Sequence, residues 1–304
     1  MRVVITGATG FIGKYLCKVL TAAGYKVIAL SRNPQKARSV LGETASGLAW
    51  DGRTVGEWGG LVDGAEAVIN LAGENLTGGR WTESFKRRII ESRVNAGKAV
   101  AEAIRQAKQK PKMLIQASGV GYYGSRGEEN LNEYSDAGAG FLAQVVEQWE
   151  ESVQEVEREG VRTIYLRTGV VLGRGEGMIG KMLLPFKLFL GGAPGSGRQW
   201  LSWIHIADVA GIIRFLMAQE KLKGVFNLVA PQPVRMSEFA KAFGKILKRP
   251  WWTPIPSPAL RVVFGEMADQ TLLTSQRVVS KRLREAEYQF LFPDLKLALE
   301  DLLK

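Results

Sequence analysis

VVITGATGFIG, residues 3–13, joins an apolar run to a turn with three glycines. The run up to Thr6 predicts a buried strand, and the residues after Gly10 predict a helix. Gly7 permits the tight turn, Gly10 lets the backbone approach a pyrophosphate, and Gly13 lets the helix pack closely on the strand. The N–H groups at the start of that helix would then face the phosphates. The stretch predicts a dinucleotide-binding turn; the alternative is a purely structural Gly-rich turn.

Strands and helices alternate outward from this turn. Predicted strands are Arg2–Thr6, Lys26–Ser31, Gly47–Trp50, Ala67–Leu71, Met113–Ser118 and Arg162–Arg167. Predicted helices are Gly10–Ala23, Thr82–Ala107, Gly140–Glu159 and Ile206–Glu220. This alternation indicates βαβ units, and the nearly continuous apolar strands indicate that both faces of the sheet are covered. The predicted fold class is therefore α/β, a Rossmann-type doubly wound parallel sheet.

The pattern changes after Leu172. Residues 173–200 are Gly-rich, with Pro185 and Pro194, and we expect an extended segment over the carboxyl edge of the sheet. From Pro231 onward the chain is helical and punctuated by proline. We predict a dinucleotide-binding domain of residues 1–172 plus about 204–229, and a smaller, mostly helical C-terminal substrate domain of about 173–203 plus 230–304.

Composition excludes several classes of protein. With one cysteine, Cys17, and one histidine among 304 residues, an internal disulfide is excluded and a zinc site is not expected, so we predict no metal. The net charge of +11 is scattered along the chain, so we assign it mostly to solvated surface, and no motif indicates nucleic-acid binding. No stretch reaches the ~18 apolar residues of a membrane helix. The initial strand leaves no room for a signal peptide, which favours the cytoplasm unless an organelle leader was trimmed.

The end of the second predicted strand indicates which dinucleotide binds. NAD-binding sites usually place Asp or Glu there to accept from the ribose 2′-OH, whereas this chain has Ser31 and Arg32. Arginine suits a 2′-phosphate, and serine can donate to it. We therefore predict NADP(H); the alternative is that Arg32 is an ordinary surface residue.

Several further motifs together resemble a known family. They are TGATGFIG at 6–13, NLAG at 70–73, Ser118 with YYG at 122–124, LRTGVVLG at 166–173 and WIHIADVA at 203–210. These resemble the extended short-chain dehydrogenase/reductase (SDR) superfamily. Another set is similar to an atypical branch of NAD-dependent epimerase/dehydratase-like, nucleoside-diphosphate-sugar epimerase-like proteins that has its own C-terminal domain. This set is NLAGEN at 70–75, RW at 80–81, SR at 92–93, WE at 149–150, GSGRQWLSWIH at 195–205, NLVAPQPVRMSEFA at 227–240 and FGEMADQTLLTSQRV at 264–278.

The resemblance implies positions for the cofactor. Gly7, Thr9, Gly10, Phe11 and Ile12 would meet the pyrophosphate, Ser31 and Arg32 the adenosine phosphate, Asp51 the adenine, Leu71, Ala72 and Gly73 the nicotinamide ribose, and Val171 the nicotinamide. Arg93 replaces a helix Asn of the family and would bind a phosphate or a substrate carboxylate; the alternative is an ion pair with Glu91 or Glu74.

The catalytic set of the family is only partly present. SDR enzymes use a Ser and a Tyr-x-x-x-Lys pair, because a Tyr with a pKa near ~10 is a poor base without help. Ser118 is kept. Phe141 or Leu142 stands in place of the Tyr, and Val145 or Val146 in place of the Lys. Hydrocarbon side chains cannot transfer protons, so the usual mechanism is not expected.

Other groups remain as candidate catalysts. We select Ser118, Tyr122, Tyr123 and Glu74; the alternatives are aromatic packing for the two tyrosines and a loop or capping carboxylate for Glu74. Arg198, in the Gly-rich stretch that resembles a sugar-nucleotide phosphate site, is the candidate substrate-binding residue. We expect His205 to be structural and Asp208 to cap a helix.

Two functions from different classes follow. The first is an NADP(H)-dependent oxidoreductase or epimerase acting on a small polar substrate such as a nucleotide sugar. The second is a cofactor-binding regulator without turnover, since relatives in this branch include "SulA-like" division proteins of cyanobacteria and plastids. The glycine turn and Ser118 favour the enzyme, and the missing Tyr and Lys favour the regulator. The sequence does not predict the oligomeric state.

Overall fold

Thirteen strands and eleven helices make up the structure, a computed structural model that describes residues 1–304. The strands are β1 Arg2–Thr6, β2 Lys26–Ser31, β3 Ser46–Ala49, β4 Ala67–Asn70, β5 Met113–Gly119, β6 Asn130–Leu131, β7 Arg162–Thr168, β8 Val170–Gly173, β9 Trp200–Leu201, β10 Trp203–His205, β11 Gly224–Leu228, β12 Val234–Arg235 and β13 Arg277–Val278. The helices are α1 Phe11–Ala22, α2 Pro34–Leu41, α3 Glu83–Gln106, α4 Phe141–Glu151, α5 Glu155–Arg158, α6 Gly177–Lys187, α7 Ile206–Ala218, α8 Met236–Leu247, α9 Ser257–Phe264, α10 Lys281–Glu285 and α11 Leu295–Leu303.

Seven parallel strands form the central sheet in the order β3-β2-β1-β4-β5-β7-β11. Helices cover both of its faces. Leu16 of α1 and Ile213 of α7 are fully buried in one apolar cluster, and Val100 of α3 is fully buried in a second cluster. This arrangement confirms the predicted Rossmann-type α/β fold, in which ligands bind beyond the carboxyl ends of the strands.

The C-terminal part is mostly helical, as predicted. Its helices α6, α8 and α11 pack together in a third apolar cluster. The expectation of an extended segment over residues 173–200 was wrong, because α6 lies inside it. Ile179, Met182, Leu183 and Phe186 follow the helical spacing and pack in this cluster. The glycines and Pro185 obscured that spacing in the sequence. The division of the chain into two domains stays a prediction.

The structure also differs from the sequence predictions in the ends of one helix and in two elements that were not predicted. The predicted helix Gly140–Glu159 is two helices, α4 and α5, and the short helix α2 and strand β11 were missed. Helix α2 carries recognisable start signals, since Asn33 accepts a hydrogen bond from the Lys36 N–H and Pro34 is the first helical residue.

The last quarter of the chain returns to the central sheet. Strand β13 pairs with β6. The buried carboxylate of Glu133 accepts hydrogen bonds from the backbone N–H groups of Asn227 in β11 and of Lys281 and Arg282 in α10. The side-chain amide of Gln276 donates to the carbonyl groups that flank the 3-10 turn Val120–Tyr123. The C-terminal segment is thus tied to the turn after β5 and to the edge strand.

Candidate functional site

The turn between β1 and α1 has the geometry that a bound pyrophosphate requires. Gly7 has φ +66°, and a β-carbon on it would lie 2.6 Å from the Leu71 carbonyl oxygen. A β-carbon on Gly13 would lie 2.4 Å from the Gly7 carbonyl oxygen. Gly10 precedes α1 without any side-chain cap, and the first turn holds no acidic residue. The first N–H groups of α1 are therefore available to an anion.

A chain of buried polar side chains holds the neighbouring strand ends in place. The Thr6 hydroxyl donates to Asn70 Oδ1 at 2.5 Å, and Asn70 Nδ2 donates to Gln116 Oε1 at 2.9 Å. The N–H groups of Leu71 and Ala72 donate to the Thr6 hydroxyl. These contacts position the loop after β4, where Leu71–Gly73 are predicted to meet the ribose. The sequence did not predict these hydrogen bonds, although Thr6, Asn70 and Gln116 each follow an apolar run. The three residues are register partners on β1, β4 and β5.

The end of β2 presents a free cation. Arg32 is exposed and forms no ion pair, while Ser31 bonds to the backbone of Asn33. The predicted adenine contact, Asp51, is engaged in its own loop: its carboxylate accepts from the N–H groups of Arg53 and Thr54 at 2.7 and 2.9 Å. These bonds lower the pKa of Asp51. A role of Asp51 toward adenine stays a prediction.

Phe11 connects the glycine turn with the predicted nicotinamide end. Its ring fills the space where β-carbons on Gly173 and Gly177 would lie, at 2.4 and 3.3 Å from the ring. Val171 lies in the same β8–α6 corner, since its carbonyl oxygen is 3.3 Å from that position on Gly177. The structure thus brings together Phe11 and Val171, two residues that were assigned to the pyrophosphate and to the nicotinamide of the cofactor.

Ser118 belongs to a buried charged network. Its hydroxyl donates to Glu150 Oε1 at 2.5 Å, and Glu150 forms a bidentate ion pair with Arg167, with both distances 2.8 Å. The Tyr123 hydroxyl donates to Asn227 Oδ1 at 2.8 Å and lies 3.3 Å from Arg167 Nη1. Ser118, Arg167 and Asn227 are register neighbours on β5, β7 and β11. Helix α4 and the turn after β5 complete the network across these strands.

The two candidate tyrosines occupy different environments. Tyr123 is fully buried, and burial raises its pKa to about 12. Tyr122 is half-buried, and its ring centroid lies 3.3 Å from the Arg167 guanidinium carbon, a cation–π contact. Proton exchange with a substrate needs access and a pKa near the working pH. The position of Tyr123 therefore favours the packing alternative for this residue, whereas Tyr122 keeps an accessible edge.

Arg93 is a buried cation beside the loop after β4. It is 8% exposed, donates from Nη1 to the Ile89 carbonyl oxygen and stacks 4.9 Å over the Trp149 ring. Its guanidinium carbon is 3.1 Å from where a β-carbon on Gly73 would lie. Burial lowers its pKa to about 10. No carboxylate oxygen of Glu91 or Glu74 lies within 4.0 Å of the guanidinium, although the charge of Glu74 partly offsets the effect of burial on the pKa of Arg93.

Glu74 lies next to this cation without pairing to it. Its N–H donates to the Ser92 hydroxyl at 2.9 Å, and its half-buried carboxylate forms no ion pair. Neither a cap nor a salt bridge thus accounts for the carboxylate, which remains available at the carboxyl edge of the sheet.

The start of α4, where the family carries its Tyr and Lys, is apolar. Phe141 packs edge-on against Trp81 with ring centroids 5.1 Å apart, and Val145 is 2% exposed. Met267, from the segment after α9, is buried in the same cluster. The two replaced positions therefore serve packing against the C-terminal segment, and no proton-transfer group stands there.

His205 is structural, as expected, but Asp208 is not the helix cap. His205 Nδ1 accepts from the Ala207 N–H at the start of α7, and its ring stacks on Phe292 at 3.8 Å. The Asp208 carboxylate instead accepts from the N–H groups of Leu291 and Phe292. Arg198 is exposed and forms no ion pair, so its substrate role stays a prediction. No cluster of metal-ligating side chains is present, and no helix is long and apolar enough to cross a membrane.

Known proteins are similar to this chain in sequence. The sequence profile of the NAD dependent epimerase/dehydratase family matches residues 3–228, and that of a domain of unknown function, DUF1731, matches residues 255–302. The epimerase family protein YfhF of Bacillus subtilis is 39% identical, over 100% of this chain and 98% of YfhF.

Solved structures agree with the fold. The crystal structure of human epimerase family protein SDR39U1 (isoform 2) with NADPH superposes with a TM-score of 0.89 at 37% identity, over 99% of each chain. A UDP-glucuronic acid 4-epimerase from Bacillus cereus in complex with NAD gives a TM-score of 0.78 over 99% of this chain and 95% of that one. At 16% identity, the second likeness shows the fold alone. With its glycine turn, seven-stranded sheet and matching profile, the chain belongs to the NAD-dependent epimerase/dehydratase family, in the branch with its own C-terminal domain.

Proposed function

We propose that the protein is an NADP(H)-dependent oxidoreductase or epimerase acting on a small polar substrate. The observation that carries the proposal is the uncapped glycine turn together with Arg32, which forms no ion pair at the end of β2. The NADPH in the human relative agrees with the predicted cofactor. Arg32 would meet the 2′-phosphate and the N–H groups of α1 the pyrophosphate. When bound, NADP(H) supplies or accepts a hydride.

Arg93 and Glu74 are the residues proposed to act on the substrate. A buried guanidinium without a carboxylate partner is costly, and an anionic ligand group would offset that cost. We therefore assign Arg93 to a phosphate or carboxylate, and substrates with such a group, including nucleotide sugars, are preferred. Glu74 would exchange a proton with the substrate. Since Ser118 donates its own proton to Glu150, its oxygen is left to accept from a substrate hydroxyl.

Thermal unfolding with cofactors tests the first part. NADPH should raise the melting temperature more than NADH at equal concentration, because ligand binding stabilises the native state according to affinity. Equal shifts would contradict the assignment. Nucleotide sugars and carbonyl compounds should then be screened by NADPH absorbance and epimer analysis. Turnover that persists unchanged in Glu74→Gln would eliminate Glu74 as the proton-transfer group.

A cofactor-binding regulator without turnover is the second candidate. The apolar start of α4 favours it, since Phe141 and Val145 cannot support proton transfer. Cofactor-dependent stabilisation with no turnover on any screened substrate would support this function. We place either function in the cytoplasm or, for a chain that has lost a leader, in an organelle.

A further inference from the structure

The end of α6 and the turn after α8 form an exposed apolar surface, here called the apolar tip. It consists of Leu184, Leu188, Phe189, Leu190 and Trp252, which are 58–71% exposed. Contacts between the two segments make it continuous: the Arg249 guanidinium lies 4.8 Å from the Phe189 ring, and the Thr253 N–H donates to the Gly191 carbonyl. Side chains this exposed project from the surface, so the tip is a protrusion and no groove.

The backbone of the tip is strained. Phe189 has φ +64°, a left-handed conformation that is unfavourable for residues with a β-carbon and rare for bulky ones. This conformation ends α6 in a Schellman motif, in which the Phe189 N–H donates to the Phe186 carbonyl and the Leu190 N–H to the Pro185 carbonyl. The cap accounts for the backbone of Phe189 but not for its large apolar side chain, which is 60% exposed at a position where glycine is the usual residue.

The charged residues next to the tip in sequence are all positive. Lys187, Lys248 and Arg249 border it, and none of them forms an ion pair. Arg249 Nε is buried without a hydrogen-bond partner. The two segments that build this region, residues 177–207 and 239–265, contain no Asp or Glu. Two copies of such a surface would repel each other, which disfavours self-association.

We infer that the apolar tip is a docking surface for an anionic lipid bilayer. Exposed Trp, Phe and Leu fringed by Lys and Arg form the composition that inserts at a membrane interface, with the cations at the headgroups. The helix end carries its apolar side chains into the interface without spanning it. This inference is independent of the proposed reaction, because no residue of the tip is placed in the cofactor or substrate site.

Vesicle co-sedimentation of the full chain tests the inference. The protein should pellet with phosphatidylcholine vesicles that contain phosphatidylglycerol, much less with phosphatidylcholine alone, and less at high salt. Trp252→Ser should reduce the pelleted fraction at least ~10-fold, because a Trp at the interface is an anchor. Leu291→Ser, at an equally exposed leucine outside the tip, is the matched control and should bind as the wild type does.

A second variant separates binding from folding. Phe189→Gly should lose vesicle binding while its melting temperature stays equal or rises, since glycine accepts the positive φ. Absence of pelleting with both kinds of vesicle, or unchanged pelleting in Trp252→Ser and Phe189→Gly, would overturn the inference. A dimer in light scattering that Trp252→Ser dissociates would assign the tip to a second copy instead and would also overturn it.

Discussion

The glycine turn after β1 keeps the residues that the family uses there, whereas the start of α4 lacks them. At the turn, two of the three glycines have the local reason that the dinucleotide pattern demands: a positive φ at Gly7 and a close approach at Gly13. At α4, Phe141 and Val145 fill an apolar cluster where the family carries its proton-transfer pair. Cofactor binding and the usual catalysis are therefore separable in this fold, and one can be kept while the other is replaced.

The sharpest way to break this comparison is to restore the missing lysine. Val145→Lys should lower the free energy of unfolding by about 3–5 kcal/mol, because it buries an unpaired charge between Trp81 and Met267. Urea unfolding measures the loss. Gln148→Lys, at an exposed position of the same helix, is the control and should stay within about 0.5 kcal/mol of the wild type. Equal and small losses of stability in the two variants would mean that the start of α4 is open to solvent. They would contradict the difference between α4 and the glycine turn.

The proposed contact of Arg32 with the 2′-phosphate is tested by reversing the charge of this residue. Arg32→Asp should weaken NADPH binding about 10- to 100-fold, since a hydrogen bond to a charged group contributes about 1.5–3 kcal/mol. NADH binding should change much less. Titration of both cofactors measures the ratio, and Arg38→Asp, the same charge change later in α2, should leave that ratio intact. A similar loss for both cofactors in Arg32→Asp would argue against a 2′-phosphate contact.

Close packing at the turn predicts a somewhat smaller effect. Gly13→Ala places a methyl group 2.4 Å from the Gly7 carbonyl oxygen, so α1 must move away from β1. We expect a loss of about 1–3 kcal/mol in stability and weaker NADPH binding. Thermal unfolding with and without NADPH tests both. Gly60→Ala, where a β-carbon meets nothing within 4 Å, is the control, and an equally mild Gly13→Ala would contradict the packing role.

The smallest effect concerns Tyr123. Tyr123→Phe removes the buried hydrogen bond to Asn227 and a longer one, at 3.3 Å, that the hydroxyl accepts from Arg167, and should cost about 0.5–1.5 kcal/mol at neutral pH without changing NADPH affinity. The folded-state pKa of Tyr123 is raised to about 12, above its ordinary value near 10, so its contribution to stability is complete below pH 10 and is lost as the pH rises through 12. The stability gap between wild type and variant should therefore narrow above pH 10. A gap that widens would contradict the raised pKa, and a lost NADPH shift would contradict the packing role of Tyr123.

The sequence allowed the sheet, the glycine turn and the absence of the Tyr-Lys pair to be predicted, because each depends on short-range patterns. It did not reveal the Thr6–Asn70–Gln116 chain or the Ser118–Glu150–Arg167 network, since these join strands that are far apart in sequence. Helix α6 was missed because its two glycines and Pro185 suggested an irregular segment, whereas packing on α8 outweighs these weak preferences. Register across neighbouring strands is the information that a single sequence lacks.

The contacts of Glu133 constrain the order in which parts of the protein can fold during synthesis. Its carboxylate accepts from Asn227 and from Lys281 and Arg282, so it gains its full set of donors only after α10 has left the ribosome. Until then this buried acid, next to the edge strand β11, lacks two of its three backbone donors. The same contacts limit exchange of the C-terminal region between proteins. Replacing residues 255–302 with a foreign segment would remove the Val279 carbonyl that accepts from the Asn227 side chain and the Gln276 amide that holds the turn after β5.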